Sequence, residues 1–214
     1  RGAFDIQVLG GAVTAGVDPA LATNQQGEGT CRYGAFNGGL VSIAHDSALN
    51  FTDKLSASFW LKIDSLPKKA VTLVDKGTNY KLELTSAGTL VLTAKLDYFL
   101  DDIFGASYLA VESDAIEPGD WVHAGFDLAL KARGEFIVWK SIEGSVWVND
   151  LREQGSSAAF ITGRAAVNDQ DAKVGGESFS GKLDEFRLER LIWPAEERLA
   201  QREAVHWCGG ATSI

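Results

Sequence analysis

A chain of 214 residues, 45% of them hydrophobic, can bury one large core, and no apolar run approaches the ~18 residues of a membrane span. The net charge is −9 and the only basic cluster is Lys68-Lys69, which argues against nucleic acid and anionic membrane surfaces, because both are bound through basic residues. Arg1 is not an initiator and there is no Met, so the sequence is expected to be an excised or processed piece.

In chain order, residues 4–9 alternate as a first strand, and 10–30, rich in Gly, Ala, Thr, Asn and Gln, read as a loop. Strand patterns follow at 31–36, 39–44, 56–63, 70–75, 79–85, 89–96, 107–112, 120–128, 135–142, 145–150, 171–174 and 181–190. Many short strands divided by turns, with helix only at the end, predict an all-β antiparallel sandwich built as a single domain, 1–214. Ala57, Phe59, Leu61 and Ile63 form a clean core face, as do Leu82 and Leu84, Leu90 to Leu96 in steps of two, and Val122, Ala124, Phe126 and Leu128. Trp60, Trp121 and His123 then fall on the polar faces, and Trp139 and Trp147 are candidates for the same placement. Two segments are oversized, 97–119, which mixes acids with aromatics, and 129–144, which holds Lys131-Ala132-Arg133-Gly134 and then an extra strand with Trp139, and long loops on a rigid sandwich are where function usually lives. In 181–190 the alternation puts Leu183, Glu185, Arg187 and Glu189 on the solvent side and Asp184 with Phe186 and Leu188 on the core side. Pro194 then opens a short helix with Glu196 and Glu197 in its first turn, where the dipole favours negative charge.

Six pieces carry a resemblance in the same order. They are Phe36-Asn37-Gly38-Gly39; Ser58-Phe59-Trp60-Leu61-Lys62; Asp75-Lys76-Gly77 followed by Tyr80-Lys81-Leu82; Trp121-Val122-His123; Val146-Trp147-Val148-Asn149-Asp150; and Gly181-Lys182-Leu183-Asp184-Glu185-Phe186-Arg187-Leu188. Together they resemble the LamG-like (concanavalin A-like) jelly-roll domains over about residues 30–207, of the kind appended to bacterial surface proteins and type IV pili. The resemblance implies an antiparallel jelly roll with a short C-terminal helix, its first and last strands side by side. That pairing implies a disulfide between Cys31 and Cys208 and an oxidising compartment, against the alternative of two unrelated buried thiols. It also implies a structural calcium. A carboxylate on a core face must be paired, hydrogen-bonded or bound to a cation. Asp184 is therefore expected either to anchor calcium beside oxygens of the Asn37 turn, or to accept backbone N–H groups of Gly38-Gly39.

Catalysis has little support in the residues. Glu185 and Glu189 could flank a glycosidic bond, but Arg187 stands between them where glucanases of this fold carry Asp. No Gly-x-Ser-x-Gly is present, and three scattered His and two distant Cys make no zinc pattern. Aromatic rings stack on the apolar faces of sugars, and Tyr98, Phe99, Tyr108, Trp60, Trp121 and His123 are the candidate ligand-binding residues. The expectation is an extracellular, non-enzymatic binding or adhesion module. Its partner would be a glycan or surface receptor, and its parent a larger surface protein or filament. The alternatives are a glycan-cleaving enzyme of the same fold and a structural protein–protein module.

Overall fold

The computed structural model describes residues 6–15, 33–97, 107–133, 139–149, 151–159 and 164–203. Fifteen strands occur among them: β1 (Ile6–Leu9), β2 (Ala12–Ala15), β3 (Tyr33–Asn37), β4 (Leu40–Ile43), β5 (Lys54–Ile63), β6 (Val71–Asp75), β7 (Tyr80–Leu84), β8 (Leu90–Asp97), β9 (Ser107–Glu112), β10 (Trp121–Arg133), β11 (Trp139–Val148), β12 (Leu151–Ala159), β13 (Arg164–Ala165), β14 (Ala172–Gly175) and β15 (Ser180–Glu189). One helix, α1 (Ala195–Glu203), follows. An eight-stranded sheet runs β1-β4-β14-β6-β7-β8-β13, with β9 also paired to β8, and a seven-stranded sheet runs β12-β11-β10-β5-β15-β3-β2. Every ladder is antiparallel. The expected all-β sandwich with a short C-terminal helix is therefore the observed fold.

The period-two alternation decides what lies between the sheets. Ala57, Phe59, Leu61 and Ile63 of β5 and Val122, Ala124, Phe126 and Leu128 of β10 enter one core with Leu82, Leu84, Leu90, Leu92 and Leu96 of the opposite sheet. The hairpin after β6 is tied down from inside. Lys76 is fully buried, and its ammonium donates to the Gln170 carbonyl and to Asn168 Oδ1 (3.4 Å), with His45 Nδ1 3.1 Å away. Burial pulls its pKa down, opposed by Asp171 and Asp169.

Several expectations need correction. Residues 12–15, read as loop, form β2 on the edge of the seven-stranded sheet, paired with β3. Residues 129–133 are not loop but the continuation of β10. The turn expected near Glu143-Gly144 is absent, because 139–148 is one strand in register with β10 and then with β12. Gly144 lies under Leu109 in a space where a Cβ would clash, so this glycine serves packing rather than a turn.

The faces of β15 also differ from the simple alternation. Its ladder with β5 advances three residues, Asp184 to Arg187, while β5 advances two, Trp60 to Ser58. That extra residue is a β-bulge, with Glu185 at φ 52° in the left-handed region. Parity therefore flips within the strand. Leu183 points into the core with Phe186 and Leu188 packed on the same side, whereas Asp184 points to the outer face. Asp184 is nonetheless only 6% exposed, and its Oδ1 accepts the Glu185 N–H at 2.8 Å, inside the bulge.

Candidate functional site

The outer face of the seven-stranded sheet collects most of the chemistry-bearing residues, and the register sorts them into rows across the strands. Lys182, Lys62 and Trp121 form one row. Asp184, Trp60 and His123 form the next. After the bulge come Arg187, Ser58, Gly125, Trp147 and Arg152, then Glu189, Ser56, Asp127, Ser145 and Gln154. Tyrosine, tryptophan and lysine pack along the first two rows. Trp121 meets Tyr33 edge to face with ring centroids 5.9 Å apart, Lys182 lies over Tyr33, and Trp60 sits 5.3 Å from His123.

The segment 190–203 folds back over the middle rows. The Leu191 carbonyl accepts the Ser56 hydroxyl at 2.7 Å, and Gln201 Oε1 accepts that of Ser58 at 2.9 Å. Arg198 lies over the Trp147 ring, which itself rests against Gly125. Beneath this cover Asp127 is buried. It accepts the Ser56 hydroxyl at 2.5 Å, the Ser145 hydroxyl at 3.2 Å and Arg152 Nη2 at 3.2 Å, with Arg198 Nη1 at 3.6 Å. Burial pushes its carboxyl above the ordinary range, against the pull of these hydroxyls and guanidinium groups.

Two larger spaces open on the described surface, the first of them beside the cover. A polar groove of about 600 Å³ is lined by Asp127, Lys131, Glu143, Ser145, Arg152, Gln154 and Ile192. At the end of the sandwich, a pocket of about 580 Å³ is bounded by Asp114, Glu117, Asp120, Trp121, Asn149 and Leu151. The second pocket is held in shape by the turn after β11. Asn149, at φ 48°, donates its N–H to the His123 carbonyl at 2.8 Å and accepts the His123 N–H on its side-chain oxygen at 3.0 Å. Asn tolerates the left-handed conformation that this exchange requires.

The residues expected to bind ligand separate on this geometry. Trp121 lines the end pocket and is half-buried. Trp60 and His123 are on the predicted outer face but are only 7% and 3% exposed, so as they stand they are packing rather than contact surface. Tyr108 is 60% exposed but belongs to β9 of the other sheet, opposite Lys95. Tyr98 and Phe99 lie outside the described residues, as do Cys31 and Cys208. Asn37 does not meet Asp184. It pairs with Ser180, four positions along β15, which is about 13 Å at strand rise. The turn at Asn37 and Gly38 instead donates its N–H groups to Gly11 and Phe179, so it is not the partner of Asp184 either. No group of three or more His, Cys, Asp or Glu suited to a metal occurs among the described residues. Glu185 pairs with Arg187 at 3.1 Å, and Glu189 accepts the Trp193 Nε1–H at 3.3 Å. Asp127, Glu143, Arg152 and Arg198 were not singled out from the sequence. The one available signal was an Asp on the polar face of a strand whose other face is wholly apolar.

The profile of the concanavalin A-like lectin/glucanases superfamily matches residues 36–196. The chain belongs to this superfamily. No curated protein matches it by sequence. Among solved structures, the binding domain of botulinum neurotoxin DC in complex with SialylT aligns with a TM-score of 0.56 at 12% identity, over 93% of this chain and 46% of that one. The botulinum neurotoxin type C structure, whose cell entry depends on two ganglioside molecules, aligns at 0.56 and 11% identity over 95% of this chain and 47% of that one. The present chain thus spans about half the length of these toxin domains. Domain 4 of the extracellular GH43 arabinanase AbnA of Geobacillus stearothermophilus, in complex with arabinotriose, aligns at 0.52 and 16% identity over 89% and 87% of the two chains. At these identities the likeness is one of fold: a lectin-like sandwich shared by domains with different ligands.

Proposed function

We propose that this superfamily member is an extracellular, non-enzymatic carbohydrate-binding module, carried by a larger surface protein or pilus, that takes a neutral saccharide in the end pocket at Trp121. The observation that carries the reading is the composition of that pocket. A half-buried indole stands beside three carboxylates and the Asn149 amide, at a volume within the range of small-ligand sites. The ring offers a platform for the apolar face of a sugar, and the carboxylates and amide accept its hydroxyls. Among the described residues the lining holds three carboxylates and no cation, which disfavours anionic ligands there. Glycan ligands named for the arabinanase domain and the toxin binding domains support the ligand class.

The test is a glycan array followed by calorimetry on each hit. Trp121→Ala is expected to weaken binding by roughly 1–3 kcal/mol, as for an aromatic anchor. A chelator is expected to leave affinity unchanged. Hits whose affinity survives Trp121→Ala would move the site elsewhere, and hydrolysis of a bound oligosaccharide would install the enzyme alternative.

A further inference from the structure

Between α1 and the strands β11 and β12 lies a smaller space of about 260 Å³, enclosed by Trp147, Arg152, Ala195, Arg198 and Leu199. Three facts about its lining converge. Two guanidinium groups face one carboxylate, since Arg152 and Arg198 both pair with Asp127 and with no other acid among the described residues. Asp127 brings one negative charge against these two guanidinium groups, and the further bond of Arg198 Nη1 goes to the neutral Trp193 carbonyl at 2.7 Å, so a positive charge is left over beside the pocket. Trp147, only 2% exposed, keeps a buried Nε1–H that finds no acceptor among the described residues. A buried donor without a partner costs about 1–3 kcal/mol, and this one belongs to a side chain of the pocket wall, where it reports on whatever is held beside the two arginines.

Arg152 lines this pocket and also the 600 Å³ polar groove, whose remaining walls offer Lys131, Glu143, Ser145 and Gln154. A carboxylate held at the arginines therefore leaves the rest of a ring facing the Lys131 ammonium and the Gln154 amide. We propose that this pocket binds the carboxylate of an acidic sugar residue, with the remainder of the saccharide extending past Arg152 into the groove. The site is separate from the Trp121 pocket and does not depend on it. The negative end pocket and the arginine pocket would then select opposite kinds of sugar.

The experiment is a titration of the ¹⁵N-labelled protein with N-acetylneuraminic acid and with D-glucuronate, following the Trp147 Nε1–H cross-peak, assigned from the spectrum of Trp147→Phe. At least one acidic sugar is expected to shift that peak saturably, while D-glucose leaves it in place and acetate binds more weakly. Arg152→Gln, with an unchanged circular dichroism spectrum, is expected to weaken binding about tenfold or more, as loss of one charge-assisted hydrogen bond does. Trp121→Ala is expected to leave the shift intact, which separates this site from the neutral-sugar site. The proposal is overturned if neither acidic sugar moves the peak or if glucose moves it equally. It also fails if acetate matches the sugars, since the ring then adds nothing, or if Arg152→Gln binds as well as wild type.

Discussion

Replacing Asp127 with Ala removes the one carboxylate among the described residues that holds Arg152 and Arg198 against the sheet. Taking one partner from a buried ion pair costs roughly 3–5 kcal/mol. The structure places this case at the low end. The Arg152 side chain is 34% exposed and rehydrates, so its share is discounted to below about 1 kcal/mol. Ser56 still has the Leu191 carbonyl at 2.7 Å to receive its hydroxyl. What loses its charge partner is Arg198, 14% exposed, which keeps only the Trp193 carbonyl at 2.7 Å, and the buried Ser145 hydroxyl loses its acceptor. The expected loss is about 3 kcal/mol, read as a lower urea midpoint with an unchanged slope. For a chain of this size, that corresponds to a fall in Tm of roughly 6–12 °C. Asp127→Asn carries the pH test. Burial raises the Asp127 carboxyl from its ordinary 3.8, so as pH rises the unfolded chain releases this proton before the folded one does. Wild type therefore loses stability across the window from 3.8 up to the raised folded value, a loss the Asn variant does not share. The advantage of wild type over Asn should be largest at the acid end and shrink as pH rises. A loss within ~0.5 kcal/mol for Asp127→Ala, or an advantage that grows with pH, would refute the account of a buried carboxylate pinning the α1 cover.

Tyr80→Phe removes the hydroxyl bond to the Leu49 carbonyl (3.0 Å) and should cost about 1 kcal/mol at neutral pH. Burial, with Asp75 adding to it, pushes the Tyr80 phenol upward, so wild type should lose stability as pH climbs past about 10, where the unfolded chain ionises first. The Phe variant should show a shallower alkaline limb in melting curves, and parallel limbs would contradict this. Asp184→Ala should destabilise by about 1–3 kcal/mol through loss of the acceptor in the bulge, with Asp184→Asn recovering much of it in the same urea titration. If both variants match wild type, the bulge does not need its acceptor. Gly125→Ala would press a methyl against the Ala57 carbonyl oxygen and the Trp147 ring, neither of which has room to move. A loss of about 1–3 kcal/mol or more is expected, and a neutral result would mean that the Trp147 stack on β10 is loose.

The strands and their buried faces were legible in the sequence because a strand's side chains alternate with a fixed period of two. Phe59, Leu61, Phe126 and Leu128 needed nothing further to be assigned to the core. The same rule placed Phe186, Arg187, Leu188 and Glu189 correctly but misread Leu183 and Asp184, because a bulge between these two stretches adds one residue and shifts the parity, and no local pattern marks Glu185 as the left-handed position. The pairing of β3 with β15 was implied by the family resemblance, but the four-residue offset between Asn37 and Asp184 depends on register, which only the assembled sheet supplies. Burial of the outer face was the least legible feature. Trp60, His123 and Trp147 alternate with apolar neighbours and so read as surface. Trp147 is buried because a helix some fifty positions later folds across it. Asp127, Arg152 and Arg198 come from β10, β12 and α1, and each alone is an ordinary charged residue of an amphipathic segment. Their meeting around one carboxylate is a long-range contact, and no periodicity within a single segment encodes it.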